Sequence, residues 1–415
     1  YGDHRDLHRL IRRQRQMCIR DRKYTAHNYK PIPVVIKKAK GIWVWDVDGK
    51  KYLDCLSAYS SQNFGHRHPK IVNALKKQLN KVILTSRAFC NDSMGKAAKK
   101  LCELTGYEVF LPMNTGAEAV ESALKIARKW GYEKKNVEEN KAEIIVCENN
   151  FHGRTITIVG FSTDPDCYSG FGPKTPGFKI IPYGDIEALK KAITKNTVGF
   201  LVEPIQGEAG VIVPPEGYLK EAYELCKEKN VLFIADEIQT GFCRTGKLFA
   251  SEYEDIKPDM TLVAKAVGGG VWPVSGVLSS WEIMDVLTPG THGSTWGGNS
   301  AGMAVLEAVC DLVKEQDFSG RARELGQFFM DGLKKIQEKY PDKIKEVRGK
   351  GLLVAIELKV KARPYTEALK NNEPVGVLAK ETHSYSIRFA PPLTITEKLS
   401  LIHISEPTRP LYISY

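Results

Sequence analysis

The chain has 415 residues, 42% hydrophobic and 26% charged with mean hydropathy −0.29, a composition that excludes disordered, collagen-like and membrane-spanning classes. Its formal charge of +11 owes much to residues 1–22, which hold seven Arg against three Asp, and the rest is spread without basic blocks, so no nucleic-acid partner and no membrane are expected. Nine cysteines without a C-x-x-C pair fit neither a disulfide framework nor a metal site, and a reducing compartment follows.

The two ends stand apart. Residues 16–22 read QMCIRDR and residues 399–404 read LSLIHI. The DNA string CAGATGTGTATAAGAGACAG translates to the start of the first, and its reverse complement translates to the second. That element resembles a transposon-end adapter of sequencing libraries, so residues 1–22 and 399–415 are expected to be non-native tails. The alternative is a genuine basic amphipathic tail. The expected native frame is about 23–398, cut short before its natural C-terminus.

Residues 23–85 read as an N-terminal lobe of extended segments and turns. KGIWVWDVDGKKYLDCL alternates apolar and polar residues around Asp48-Gly49, a hairpin signal. Residues 86–289 read as a large domain. There, helical periodicity in MGKAAKKLCELTGY and AEAVESALKIARKWGYEKK alternates with the apolar runs YEVFLPM, AEIIVCE, GFLVEP and VLFIADE. Such interleaving predicts an α/β fold, with a mostly parallel sheet flanked by helices. Residues 290–398 read as a small α+β domain, with helices at 300–315 and 320–339 and strands in GKGLLVAIEL and SIRFAPPL.

The apolar run VLFIADEIQTG ends in Asp236, and functional groups of open α/β sheets gather at the carboxyl ends of strands. A solvated strand-end acid is the alternative. Lys265 follows an apolar run and precedes three glycines in TLVAKAVGGGVWP, where crowding would make the neutral amine accessible, unless it is a surface lysine. Thr115-Gly116-Ala117 forms a turn between strand and helix whose free N–H groups suit a phosphate, although ordinary capping explains the same residues. Gly241-x-x-x-x-Gly246-Lys247 imitates a nucleotide loop, but Leu248 stands where a magnesium-binding Ser or Thr is needed. Arg348-Gly349-Lys350-Gly351 is equally weak as a dinucleotide signal.

A strand-end carboxylate, a lysine on the next element and a helix-start anion site form the set that pyridoxal 5'-phosphate requires. From HNYKPIPVV to RFAPPL the chain resembles the class III, ω-amino-acid aminotransferases of fold type I. The resemblance implies a large domain with a small domain built from both chain ends. It implies that Gly116 and Ala117 grip the phosphate, that Phe151 of NNFHGRT stacks on the ring beside His152, and that Lys265 forms the Schiff base. Asp236 would face the ring nitrogen, Ile238 the ring and Gln239 the phenolic oxygen, with Glu203 and Glu208 supplied by EPIQGEAG. Ser294 and Thr295 of HGSTWGGN would reach the phosphate of a neighbouring subunit, implying a homodimer with shared active sites. Ala264, Trp272, Trp296, Ser300 and Glu381 depart from the family's usual residues without removing a catalytic atom.

Members acting on ornithine are similar to this chain in Tyr29 of HNY and Tyr59 of SAYSS. The implied reaction moves the δ-amino group of the amino acid L-ornithine to the keto acid 2-oxoglutarate. Arg154 would hold a carboxylate, Tyr29 would meet the α-amino end of the donor, and Arg388 would bind the α-carboxylate of the keto acid. Glu208 would cover Arg388 while ornithine is bound. N-acetylornithine or 4-aminobutyrate as donor, an aminomutase, and a cofactor-binding relative without activity remain as alternatives. A cytoplasmic location is expected, or the mitochondrial matrix if a presequence was lost.

Overall fold

The computed structural model describes residue 14 and residues 16–397; of the tails expected to be non-native, 1–22 and 399–415, residues 1–13, residue 15 and all of 399–415 lie outside the described residues. A seven-stranded sheet forms the centre. Its strands in chain order are β4 (Val109–Met113), β5 (Glu143–Cys147), β6 (Phe178–Ile181), β7 (Thr197–Val202), β8 (Leu232–Asp236), β9 (Met260–Val263) and β10 (Ser275–Ser279). They lie in the order β4-β10-β9-β8-β7-β5-β6, all parallel except β10, which runs antiparallel to both neighbours. β7, β8 and β9 are buried at every position, which is why they read as continuous apolar runs. Helices cover both faces. On one, Gly116–Glu133 packs Val120, Ala123, Leu124 and Ala127 against Ile144, Leu201 and Ile234. On the other, Tyr218–Glu228 packs Leu219, Ala222 and Cys226 against Phe200 and Phe233.

Two four-stranded sheets complete the fold. β1 (Ile36–Lys40), β2 (Trp43–Asp46) and β3 (Lys51–Asp54) form a meander, and β13 (Gly376–Leu378) joins it in parallel beside β3. Asp46 Oδ1 accepts the N–H groups of Asp48 and Lys50 at 2.9 Å each, and Gly49 takes φ 89°, so the expected hairpin closes there. The second sheet is antiparallel in the order β11-β12-β15-β14, where β11 is Ile344–Lys350, β12 Leu353–Leu358, β14 Lys380–Thr382 and β15 Ser386–Phe389. Phe318–Lys339 covers it through Phe329, which meets Phe389 edge-on at 5.6 Å. The small α+β domain thus draws strands from both chain ends, as the resemblance implied. The N-terminal lobe departs from its reading as extended segments and turns, because Pro69–Leu79 is a helix. Pro at the helix start and Ile71, Val72 and Leu75 at helical spacing carry the signal, and Ile71 is completely buried. Among the described residues no helix is long and apolar enough to cross a membrane.

Candidate active site

A cleft of about 560 Å³ opens at the carboxyl ends of β8 and β9, where Asp236 closes one strand and Lys265 follows the other by two residues. Thr115, Gly116, Ala117, Phe151, His152, Glu203, Ile238 and Gln239 line it with them. Lys265 takes φ 49°, a left-handed backbone that favours glycine, so the surrounding packing holds it in a strained position. Burial pushes its ammonium below the usual lysine value, while Glu208 and Asp236 pull the other way.

The phosphate-type turn is built by capping. Thr115 Oγ1 accepts from the Glu118 N–H at 3.3 Å and Glu118 Oε2 accepts from the Thr115 N–H at 2.7 Å, a reciprocal pair that orders the first turn. Ser275 Oγ donates to the Thr115 carbonyl at 2.6 Å and ties the turn to β10. The amides of Gly116 and Ala117 precede the intrahelical ladder and so remain available to an anion. A Cβ on Gly116 would stand 3.1 Å from Ile238 Cδ1, so glycine lets the turn and Ile238 close on each other.

Beneath the cleft, His152 Nδ1 and Asp236 Oδ2 are 2.6 Å apart, with side chains 0% and 5% exposed. Burial works to lower the imidazole's affinity for a proton, but the Asp236 hydrogen bond and charge, with Glu203 behind them, outweigh it and hold His152 above its usual value. Among the described residues, His152 Nε2 is buried without a partner. Glu203 is pushed up to about 7 by burial, with His152 opposing and Asp236 adding to the rise. Its oxygens accept from the Phe151 N–H at 3.0 Å and the Gly207 N–H at 3.4 Å, so it holds the Phe151 segment to the loop that carries Glu208.

Behind Gln239, Arg388 Nη1 donates to Glu208 Oε1 at 2.7 Å, to Gln239 Oε1 at 2.9 Å and to the Gly207 carbonyl at 3.2 Å. Burial works to raise the Glu208 carboxyl, yet the charges of Arg388 and Lys265 hold it below the usual range. Gln239, expected at a phenolic oxygen, turns its amide to this pair and donates to Glu208 at 3.3 Å. Gly207 makes this possible, since a Cβ there would sit 2.1 Å from Gln239 Oε1. Tyr59 lies outside the cleft lining, with its ring 5.1 Å from the Arg388 guanidinium.

Glu208 and Arg388 also stand outside the cleft lining, behind Gln239, and Tyr29, Arg154, Ser294 and Thr295 do not line it either. Tyr29 is 73% exposed, in a stretch without regular structure. Arg154 is exposed, with its guanidinium 5.5 Å from the Phe151 ring and Nη1 donating to Cys167 Sγ at 3.3 Å. Thr295 is exposed, whereas Ser294 Oγ accepts from Asn114 Nδ2 at 2.9 Å. The sequence reading missed Gln62, which lines the cleft and donates to the Gly270 carbonyl at 3.1 Å, and Asn114, which precedes the capped turn. Asn114 was visible as the residue before a capping box; nothing local marked Gln62.

A family model described as aminotransferase class-III matches residues 24–405. An ornithine aminotransferase of Brevibacillus brevis is 58% identical over 376 residues, covering 91% of this chain and 93% of its own. The solved structure of an ornithine aminotransferase from Toxoplasma gondii, with partial occupancy of PLP at its active site, aligns at TM-score 0.92 and 47% identity over 94% of this chain and 93% of that one. An acetylornithine aminotransferase from Elizabethkingia anophelis aligns at TM-score 0.86 and 50% identity over 94% and 97%.

Proposed function

Because the chain belongs to the class III aminotransferases, we propose that it transfers the δ-amino group of L-ornithine to 2-oxoglutarate, giving glutamate 5-semialdehyde and glutamate. The semialdehyde closes on its own α-amine to pyrroline-5-carboxylate. The observation that carries this reading is one cleft lined by Lys265, Asp236 and His152, with the Glu208–Arg388 pair joined to it through the cleft residue Gln239.

The cleft fits the family's cofactor, pyridoxal 5'-phosphate. Its phosphate suits the open amides of Gly116 and Ala117, and its ring suits the slot between Phe151 and Ile238. Its nitrogen suits Asp236, whose carboxylate is held in place by the buried His152 ring. Bound there, the group supplies a carbon that captures the substrate amine and a conjugated ring that takes up the electron pair left by a broken C–H bond. Lys265, its proton loosened by burial, takes the proton from the δ-carbon and returns it on the cofactor side. Glu208 neutralises Arg388 while the amine donor is bound. When a keto acid enters, Arg388 exchanges the Glu208 carboxylate for the substrate's α-carboxylate, with charge-assisted bonds on both sides of the exchange.

Exposed Thr295 beside part-buried Ser294 supports a homodimer in which this loop completes the neighbour's site. Free cysteines throughout the described residues support a reducing compartment such as the cytoplasm. A second reading, N-acetylornithine as donor, is favoured by the Elizabethkingia likeness and by Tyr29, which does not line the cleft. The test is kcat/KM for L-ornithine, N-acetyl-L-ornithine and 4-aminobutyrate, each with 2-oxoglutarate. L-ornithine is expected to lead by at least about tenfold, roughly the discrimination that one or two polar contacts provide. A lead for either other donor overturns the proposal.

A further inference from the structure

Lys380 and Arg388 are direct partners across the antiparallel pair β14–β15, so their side chains leave the same face of the sheet. Like charges in that position repel. Arg388 is offset by Glu208, but Lys380 forms no ion pair among the described residues, and neighbouring Glu381 is taken by Arg363 at 2.6 Å. Instead Lys380 Nζ donates to Tyr59 OH at 2.8 Å and stands 5.2 Å from the centre of the same ring that receives the Arg388 guanidinium at 5.1 Å. Tyr59 is held firmly, within a run from Ser57 to Ser60 whose φ angles are all between 46° and 71°. Asp54 Oδ1 anchors that run by accepting the Leu56 and Ser57 N–H groups at 2.9 and 2.8 Å. Four consecutive left-handed residues other than glycine are costly and persist only where the surroundings impose them.

We infer that Lys380 is a specificity residue for the acceptor. Acting through Tyr59, it keeps a second positive charge beside Arg388 that favours a dicarboxylate keto acid over a diamino acid. Once Glu208 releases Arg388, two cations share one ring and one incoming carboxylate relieves both. The inference rests on the reading of Arg388 as the acceptor's carboxylate partner.

The test compares the cofactor-loaded parent enzyme with Lys380→Met and Lys380→Arg, measuring each half-reaction in single turnover and the calorimetric Kd of glutarate, an unreactive dicarboxylate. In Lys380→Met the KM for 2-oxoglutarate and the Kd of glutarate are expected to rise about fivefold with kcat nearly unchanged, while the KM for L-ornithine falls. Lys380→Arg is expected to restore both acceptor values. If the parent neither binds glutarate nor uses 2-oxoglutarate, the reading of Arg388 fails and takes the inference with it. A parent that does both, beside a Lys380→Met protein that matches it or loses donor and acceptor affinity together, overturns the inference alone.

Discussion

Lys265 shows how one residue gathers its chemistry from its surroundings: a strand end places it, a left-handed backbone aims it and burial loosens its proton. Lys265→Ala is expected to retain the fold and lose at least about a thousandfold in single-turnover release of pyrroline-5-carboxylate, the scale of a missing general base. Glu203 offers a test without substrate. Its carboxyl is raised to about 7, so between about 4.5 and 7 the folded state binds more protons than the unfolded one and stability falls as pH rises. His152, also raised, acts in the same sense. In the cofactor-free protein, Glu203→Gln is expected to flatten that decline, worth at most about 3 kcal/mol, in denaturant titrations from pH 4.5 to 7.5. An unchanged slope would show that Glu203 titrates as an ordinary carboxylate.

At the scale of elements, the segment after β8 explains why a nucleotide-loop imitation occurs in the sequence. Gly241 and Gly246 are needed for close packing, since a Cβ on Gly241 would lie 2.8 Å from the Glu237 carbonyl and one on Gly246 2.4 Å from Arg323 Cγ. Between them, fully buried Arg244 donates from Nε and Nη2 to Asn63 Oδ1 and from Nη1 to the carbonyls of Leu352 and Pro391. Burial lowers its guanidinium to about 9, with Asp54 opposing. The arginine clamps the N-terminal lobe, the large sheet's loop and the C-terminal lobe. Arg244→Leu is expected to cost about 3 kcal/mol or more in denaturant unfolding, because it leaves several buried acceptors unpaired. A cost below about 1 kcal/mol would contradict the clamp. Apolar runs and turn residues made β5, β7, β8 and the Asp48-Gly49 hairpin legible. Arg244, Gln62 and Tyr59 were opaque as contacts because their partners lie far away in the chain.

For the whole molecule, the same distinction separates what sequence shows from what only packing decides. Local periodicity predicted the α/β core, but it could not reveal that β13 lies beside β3, or that β10 runs against its neighbours, since register between distant strands leaves no local trace. The residues of the cleft were readable because Gly116, Asp236 and Lys265 each end or begin a regular element. Tyr29 was not, because no element fixes it. Exposed Thr295, if it completes a neighbour's site, predicts that sedimentation will give twice the 46.4 kDa chain mass, and full activity in a monomer would refute a shared site. Transfer of the δ-nitrogen between molecules can be followed by supplying L-ornithine labelled with heavy nitrogen at the δ position, together with unlabelled 2-oxoglutarate. Labelled glutamate and unlabelled pyrroline-5-carboxylate are expected; unlabelled glutamate, or a labelled product formed without 2-oxoglutarate, would rule out δ-amino transfer to the keto acid.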